Sequence, residues 1–422
     1  MITSGPDMTR KQNQGADLRR LDLLREYVRS ALHMARLVLD EVLAARFSDE
    51  EPDKYLDLVG KAGGELAMLL RMAKRALPDE KDGAEILAIA SDLAPLARSS
   101  HVYRSLLFRP SRTPMHALAH FCLADLGLPH ENLDRVARLA LQSSVHDANE
   151  RVPYRMLDAA WARHLAFGDK ELNHAAISFS PLCTGVDLLK ATWDDAYALT
   201  HALVYATDFG RVSLPDHIDR HHLLGTAEAI AVKALDEDDL DLLAEVLMAP
   251  AILKVDWTPT LAFAWEVLER VWKEFGFVPG PGIPPPASDE TRIQKVRRVL
   301  GTVYHTTFAA GLCCATLISC QSLPPEVDST SAETSEFPAG KGAAWKINWS
   351  RSTPEVPENL NFLSLAFSLR RALDDMDLVR VREILGSAAE AGLIEHPLFI
   401  QSLELLERIN AANLTDSREA IN

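Results

Sequence analysis

Three glycines, Gly127, Gly168 and Gly210, each close a helical stretch that carries polar residues, and they stand 41 and 42 residues apart. A glycine just past the last helical residue is the usual left-handed C-cap, so each one marks where a helix stops. The stretches they close contain His116 and His120, then Asp158 and Trp161, then Tyr197 to Asp208. A period near 42 residues fits a helix pair repeated along the chain. The expected fold is therefore all-α. It is either an open array of helix hairpins or a closed α/α toroid whose inner helices line a central cavity. In both, equivalent helices bring their polar residues to one side.

The rest of the chain keeps the helical period. Apolar residues recur at three- and four-residue spacing over Arg19–Ala45, Tyr55–Ala76, Gly83–Leu96, Met115–Leu126, Leu133–Ser143 and Tyr154–Phe167. They do so again over Ile218–Ala234, Asp239–Met248, Leu261–Phe275 and roughly Glu290 to Leu317. No run alternates as a strand would. Residues 1–18 read as a disordered leader and 19–320 as the helical-repeat domain, with a Pro/Gly connector at Gly276–Ser288. Residues 321–357 read as a flexible linker, and 358–415 as a C-terminal helical segment suited to capping or to a protein partner.

Charge and cysteine content narrow the function. The net charge is -16, from 44 basic and 60 acidic residues, which argues against nucleic-acid binding. No uninterrupted apolar run reaches bilayer length, so no membrane span is expected, and the N-terminus lacks the apolar core of a signal peptide. Five cysteines without a CxxC pair fit buried thiols in a reducing, cytoplasmic setting. No GxGxxG, Walker A, GxSxG or HExxH motif occurs.

The stretch from Thr192 to Gly210 carries the candidate site. At 100° per residue, Asp194, Tyr197, His201, Tyr205 and Asp208 share one face, while Ala198, Leu199, Ala202, Leu203 and Ala206 fill the rest. A helix so largely apolar expects burial, and a stripe of Tyr, His and Asp suits a pocket better than a solvated face. The competing reading is an internal polar network that fixes helix register. Asp158, Trp161 and His164 fit ordinary packing, as does a lone histidine such as His305. The pairs His116/His120 and His217/His221 place two imidazoles one turn apart, as a transition metal would need. That metal reading is the weaker one, and no cofactor is otherwise expected.

The run Asp195-Ala-Tyr197-Ala-Leu-Thr200-His201-Ala-Leu-Val-Tyr205-Ala-Thr207-Asp208-Phe209-Gly210 resembles the signature of an uncharacterised, all-helical bacterial family associated with actinobacteria and natural-product gene clusters. Tyr304-His305-Thr306-Thr307 resembles a second signature of that family, and the resemblance spans roughly residues 20–320. It implies that Asp195, Tyr197, Thr200, His201, Tyr205, Asp208 and His305 share one site. It supplies no substrate.

The leading expectation is an enzyme acting on a small, fairly apolar metabolite by acid–base or cation-stabilising chemistry, of cyclisation or elimination type. His201 with Asp208 would form the base pair, and Tyr197 or Tyr205 would donate a hydrogen bond. Asp194, Asp195 and His305 complete the catalytic set, with Thr200, Trp193, Phe209, Trp161 and Tyr304 as substrate contacts. The alternatives are a non-catalytic helical-repeat scaffold and a metal-dependent enzyme using histidine and aspartate ligands.

Overall fold

The computed structural model describes residues 6–43, 56–57, 59–144, 153–168, 174–280, 291–325 and 360–412. Among the described residues there are helices and no strand. Helix α1 (Pro6–Val38) leads to α2 (Gly64–Ala76), α3 (Glu80–Ala97), α4 (Ser100–Phe108), α5 (Leu118–Asp125) and α6 (Glu131–Leu141). Then come α7 (Pro153–Phe167), α8 (Trp193–Thr207), α9 (Arg220–Asp236), α10 (Leu240–Val246), α11 (Pro259–Phe275) and α12 (Arg292–Cys320). The chain finishes with α13 (Asn361–Asp374), α14 (Leu378–Glu390) and α15 (Pro397–Ala411). The expected leader is helical from Pro6 rather than unstructured, because adding turns to an existing helix costs little once the amphipathic part has nucleated. The segment 326–359, most of the expected linker, lies outside the described residues.

The glycine signal holds locally. Gly127, Gly168 and Gly210 have φ of 90°, 72° and 81° and follow α5, α7 and α8. Gly210 is also held by space, since a Cβ there would lie 2.6 Å from Cys320 Sγ.

Helix contacts close on themselves. α2 packs on α5, α5 on α7, α7 on α8, α8 on α10, α10 on α12, and α12 on α2 again. The other helices back this circuit. α1 lies against α12 and α2, α3 against α2 and α5, α6 against α7, and α9 and α11 against α10. Helix α12 contains a stretch, Gln294–Cys320, long and apolar enough to cross a bilayer, which the sequence reading did not expect. Its most apolar window is 78% buried by protein, the position of a core helix. The main apolar core runs continuously from Leu24 to Leu406. A smaller one, with Val102, Leu106, Phe121 and Leu133, sits between α4, α6 and the backs of α5 and α7.

The C-terminal helices join the main core. α13 and α15 pack on α9, where Arg370 bonds Asp236 at 3.2 Å and Glu237 at 2.7 Å. Gln401 of α15 holds the backbone of Val186 and Leu188, in the loop that leads to α8.

Candidate functional site

Helix α8 starts at a reciprocal capping box. The Asp195 backbone N–H donates to Thr192 Oγ1 at 3.3 Å, and the Thr192 backbone N–H donates to Asp195 Oδ2 at 2.9 Å. Asp195 is thus occupied at the helix start and does not face the inward residues. Removing either partner, as Thr192→Ala or Asp195→Ala, is expected to destabilise the protein by about 1 kcal/mol, read as a lower urea midpoint at unchanged slope.

Beyond the cap, Tyr197, His201 and Tyr205 succeed one another by turns, with ring centroids 5.9 and 5.8 Å apart. Tyr154 of α7 stands 5.5 Å from the His201 ring, and Trp161 stands 5.3 Å from Tyr205. His201 Nε2 lies 3.4 Å from Glu245 Oε1 of α10, and the Thr200 hydroxyl donates to Glu245 Oε2. Burial opposes a charge on His201, but Glu245 overrides it and raises the imidazole above its usual range.

One turn earlier on α10, Asp241 Oδ2 accepts from the Tyr197 hydroxyl at 2.9 Å and faces His305 Nε2 of α12 at 3.1 Å. His305 Nδ1 meets Glu65 Oε2 of α2 at 3.0 Å. Burial again opposes the charge, yet the bonds to Asp241 and Glu65 push His305 up to about 11, so it is an imidazolium clamped between two carboxylates. The same bond from His305 overrides burial at Asp241 and holds that carboxyl below its usual range. Asp239, the N-cap of α10, is pushed up to about 6 by burial, with Asp241 beside it. Burial raises the Tyr197 and Tyr205 phenols, so both stay neutral.

His201 and His305 lie deep among the helices, yet 32% and 35% of their side-chain surface remains accessible. Both rings are therefore partly accessible rather than sealed in the core. Two buried side-chain atoms here, Asp241 Oδ1 and His201 Nδ1, have no hydrogen-bond partner. Such atoms are rare in folded proteins and call for an explanation where they cluster.

A second polar group sits at the opposite ends of the same helices. Arg71 of α2 makes two bonds to Asp208, at 2.6 and 2.9 Å, and one to Asp125 at the end of α5, at 2.6 Å. Trp161 Nε1 donates to Asp208 Oδ1 at 2.9 Å, and Arg75 and Arg211 approach to 3.6 and 3.5 Å. Burial would raise the Asp208 carboxyl, but Arg71 overrides it and holds it down at about 2. Asp208 and Phe209 have φ of 48° and 58°, a conformation that costs a non-glycine residue about 1–2 kcal/mol. The Arg71 bonds and the edge-on contact of Phe209 with Trp161, at 6.0 Å, hold that strained corner.

The expected set is thus split. Tyr197, Thr200, His201, Tyr205 and His305 come together, and Trp161 borders them. Asp208 is not the partner of His201; Glu245 is, because Asp208 follows the last turn of α8 and is taken by Arg71. Asp194 is exposed, and Trp193, 43% exposed, has Lys233 Nζ 5.5 Å from its ring. Tyr304 is in the core against Phe308. His116 bonds Ser105 and His120 bonds Asp134, with burial lowering His120 to about 4. His217 and His221 are exposed, apart from the first pair. Among the described residues no group of three or more His, Cys, Asp or Glu is disposed to hold a metal.

Sequence reasoning missed Glu65, Arg71, Asp239, Asp241, Glu245 and Tyr154. A signal existed for two sets: Arg71 interrupts the apolar run Ala67 to Ala73, and Asp241 and Glu245 stand one turn apart among leucines.

The family described as Domain of unknown function (DUF6895) matches residues 28–315, from within α1 to near the end of α12. The chain belongs to this family, and α13 to α15 lie outside the match. Neither the curated proteins nor the solved structures contain a match to it.

Proposed function

We propose that this protein is an enzyme built as an α/α toroid, acting on a small, largely apolar molecule held inside the circuit of helices. The toroid reading draws on two facts. The circuit returns to α2, and its helices point one way. Glu65, Tyr154, Tyr197 and Asp241 lie toward the N-terminal ends of their helices, on the side of the internal space. Arg71, Asp125, Trp161 and Asp208 lie toward the C-terminal ends and plug the other side.

The chemistry is acid–base. The observation that carries it is His201, whose Nε2 faces Glu245 while Nδ1 has no partner. A carboxylate on one ring nitrogen fixes the tautomer and leaves the other with a free lone pair, the arrangement of a general base. With Nε2 kept on Glu245, a shift of the side chains that enclose Nδ1 opens that edge; the imidazole then takes a proton from the bound molecule and is stabilised as imidazolium by Glu245. It then returns the proton to a leaving group, in an elimination, or to a different atom, in a cyclisation. Tyr197 and Tyr205, held neutral, line the space. An open scaffold is the less supported reading, because Thr200 is buried and His201 lies deep. Five free thiols fit a reducing, cytoplasmic location.

The test is proton exchange. Purified protein is incubated in D2O with the small-molecule extract of the producing organism, and deuterium uptake at carbon is followed by mass spectrometry. Wild-type protein labels at least one species, and His201→Ala slows that labelling by about 100-fold or more. No labelled species, or equal labelling by His201→Ala and Glu245→Gln, overturns the reading.

A further inference from the structure

We propose that this protein docks on anionic membranes through the outer surface of α4, the 3-10 turn Pro110–Arg112 and α6. The occupant is an anionic phospholipid surface, and docking needs no membrane-spanning helix. The inference stands apart from the enzyme reading.

Apolar exposure comes first. α4 ends on Leu107 and Phe108, 61% and 82% exposed, and Phe108 is the most exposed large apolar side chain among the described residues. On α6, Leu139 is 62% exposed. Single exposed apolar residues are ordinary, but these three are grouped. α4 and α6 start side by side: the Tyr103 hydroxyl lies 3.3 Å from His130 Nδ1, and Arg98 bonds the Leu128 carbonyl. The turn that follows α4 touches α6 again, so the far ends of the two helices stay together. Val102 and Leu106 of α4 share one core with Leu133 and Ala137 of α6. The opposite faces of both helices therefore point outward on the same side of the molecule.

Charge is the second, independent feature. The chain carries a net charge of -16, yet residues 98–112 hold four arginines and no carboxylate. α6 adds Arg135 and Arg138 against Glu131 and Asp134, and Asp134 is engaged by His120 at 3.0 Å. Behind α6, α7 contributes Arg163, bonded to the Leu141 carbonyl, and the pair Arg155 and Asp158. Arg104, Arg109, Arg112, Arg135 and Arg138 are all exposed. Among the described residues, Arg104, Arg112, Arg135 and Arg138 have no carboxylate within salt-bridge distance; Arg135 bonds Asn132 and Arg138 lies over the Phe167 ring.

The two features together select the partner. Leu107 and Phe108 stand at a helix end with Arg104, Arg109 and Arg112 around them in the chain. Side chains so placed enter the boundary between headgroups and acyl chains while the arginines meet lipid phosphates. A second copy docked by the same face would set five arginines against five, which like charges oppose. An acidic polymer would answer the arginines and leave the apolar tip in water.

The experiment is co-flotation of the full chain with vesicles of phosphatidylcholine alone and with vesicles holding about 30% phosphatidylglycerol. The anionic vesicles are expected to bind about 10-fold more tightly or better, and raising NaCl from about 0.1 to about 0.5 M should weaken them by about 10-fold. Leu107→Ser with Phe108→Ser should weaken anionic binding by about 10-fold or more, and Arg104→Gln with Arg112→Gln by a similar factor. Both pairs are at exposed positions, so their urea midpoints should match wild type. If either pair fails to fold, Arg135→Gln with Arg138→Gln carries the same comparison. Equal binding to the two vesicles, no flotation at about 1 mM lipid, or binding untouched by the folded variants would each overturn the proposal. So would polyglutamate binding as tight as the vesicles and indifferent to Phe108→Ser, which marks an acidic-polymer site. A concentration-dependent dimer that Phe108→Ser dissolves, without flotation, overturns it in favour of self-association.

Discussion

Replacing Arg71 with leucine is expected to destabilise the protein by about 3–5 kcal/mol, measured by urea denaturation, because it strands a charge in the interior. Arg71 is 2% exposed and Asp208 0%, and the guanidinium supplies two hydrogen bonds and the bound positive charge to that carboxylate, with Trp161 Nε1 adding one neutral bond. Arg75, at 3.6 Å, compensates only in part. The strained backbone at Asp208 and Phe209 would lose its clamp as well. The double variant Arg71→Leu with Asp208→Leu should recover part of the loss, since removing both partners leaves no isolated charge. A stability within about 0.5 kcal/mol of wild type for Arg71→Leu would show that the bridge does not hold these helices together. The pH dependence follows from the same pair. The Asp208 carboxyl sits at about 2 when folded, below its ordinary 3.8. Its contribution is therefore complete above pH 3.8 and is lost as the pH falls through about 2. Asp208→Asn should flatten the stability profile over that window.

The second large effect concerns His305. His305→Gln keeps a polar side chain but removes the positive charge between Glu65 and Asp241, leaving two carboxylates to repel each other. The expected loss is about 2 kcal/mol near neutral pH, smaller than for Arg71 because a third of the His305 side chain is accessible and solvent screens it. The sign of the pH effect is opposite to that of Asp208. The folded imidazolium titrates at about 11 against an ordinary 6.5, so its contribution is complete below pH 6.5 and is lost progressively as the pH rises through about 11. Wild-type stability should fall across that alkaline window while His305→Gln stays flatter. Parallel profiles for the two proteins would mean that His305 is not charged in the folded state.

These two residues also show where reading a sequence stops. The face of α8 was legible because helical period is local: Tyr197, His201 and Tyr205 recur every four residues, and their alignment requires only that the segment be helical. Their chemical partners were not legible. Glu245 lies 44 positions from His201, Glu65 lies 240 from His305, and Arg71 lies 137 from Asp208. No periodicity links such pairs. Asp208 falls on the same projected face as His201, which made it the expected partner. It instead lies past the last turn, in a left-handed corner that turns it toward α2.

By itself, then, the sequence determined the all-helical character, the glycine stops after α5, α7 and α8, and the polar stripe of α8, because each depends on interactions within a few residues along one chain segment. Only the tertiary structure decided which carboxylate meets which histidine, and that Asp208 meets Arg71 away from the group that holds His201 and His305. Those pairings depend on how separate helices pack, and a charge buried between helices takes the partner that packing brings within hydrogen-bond reach.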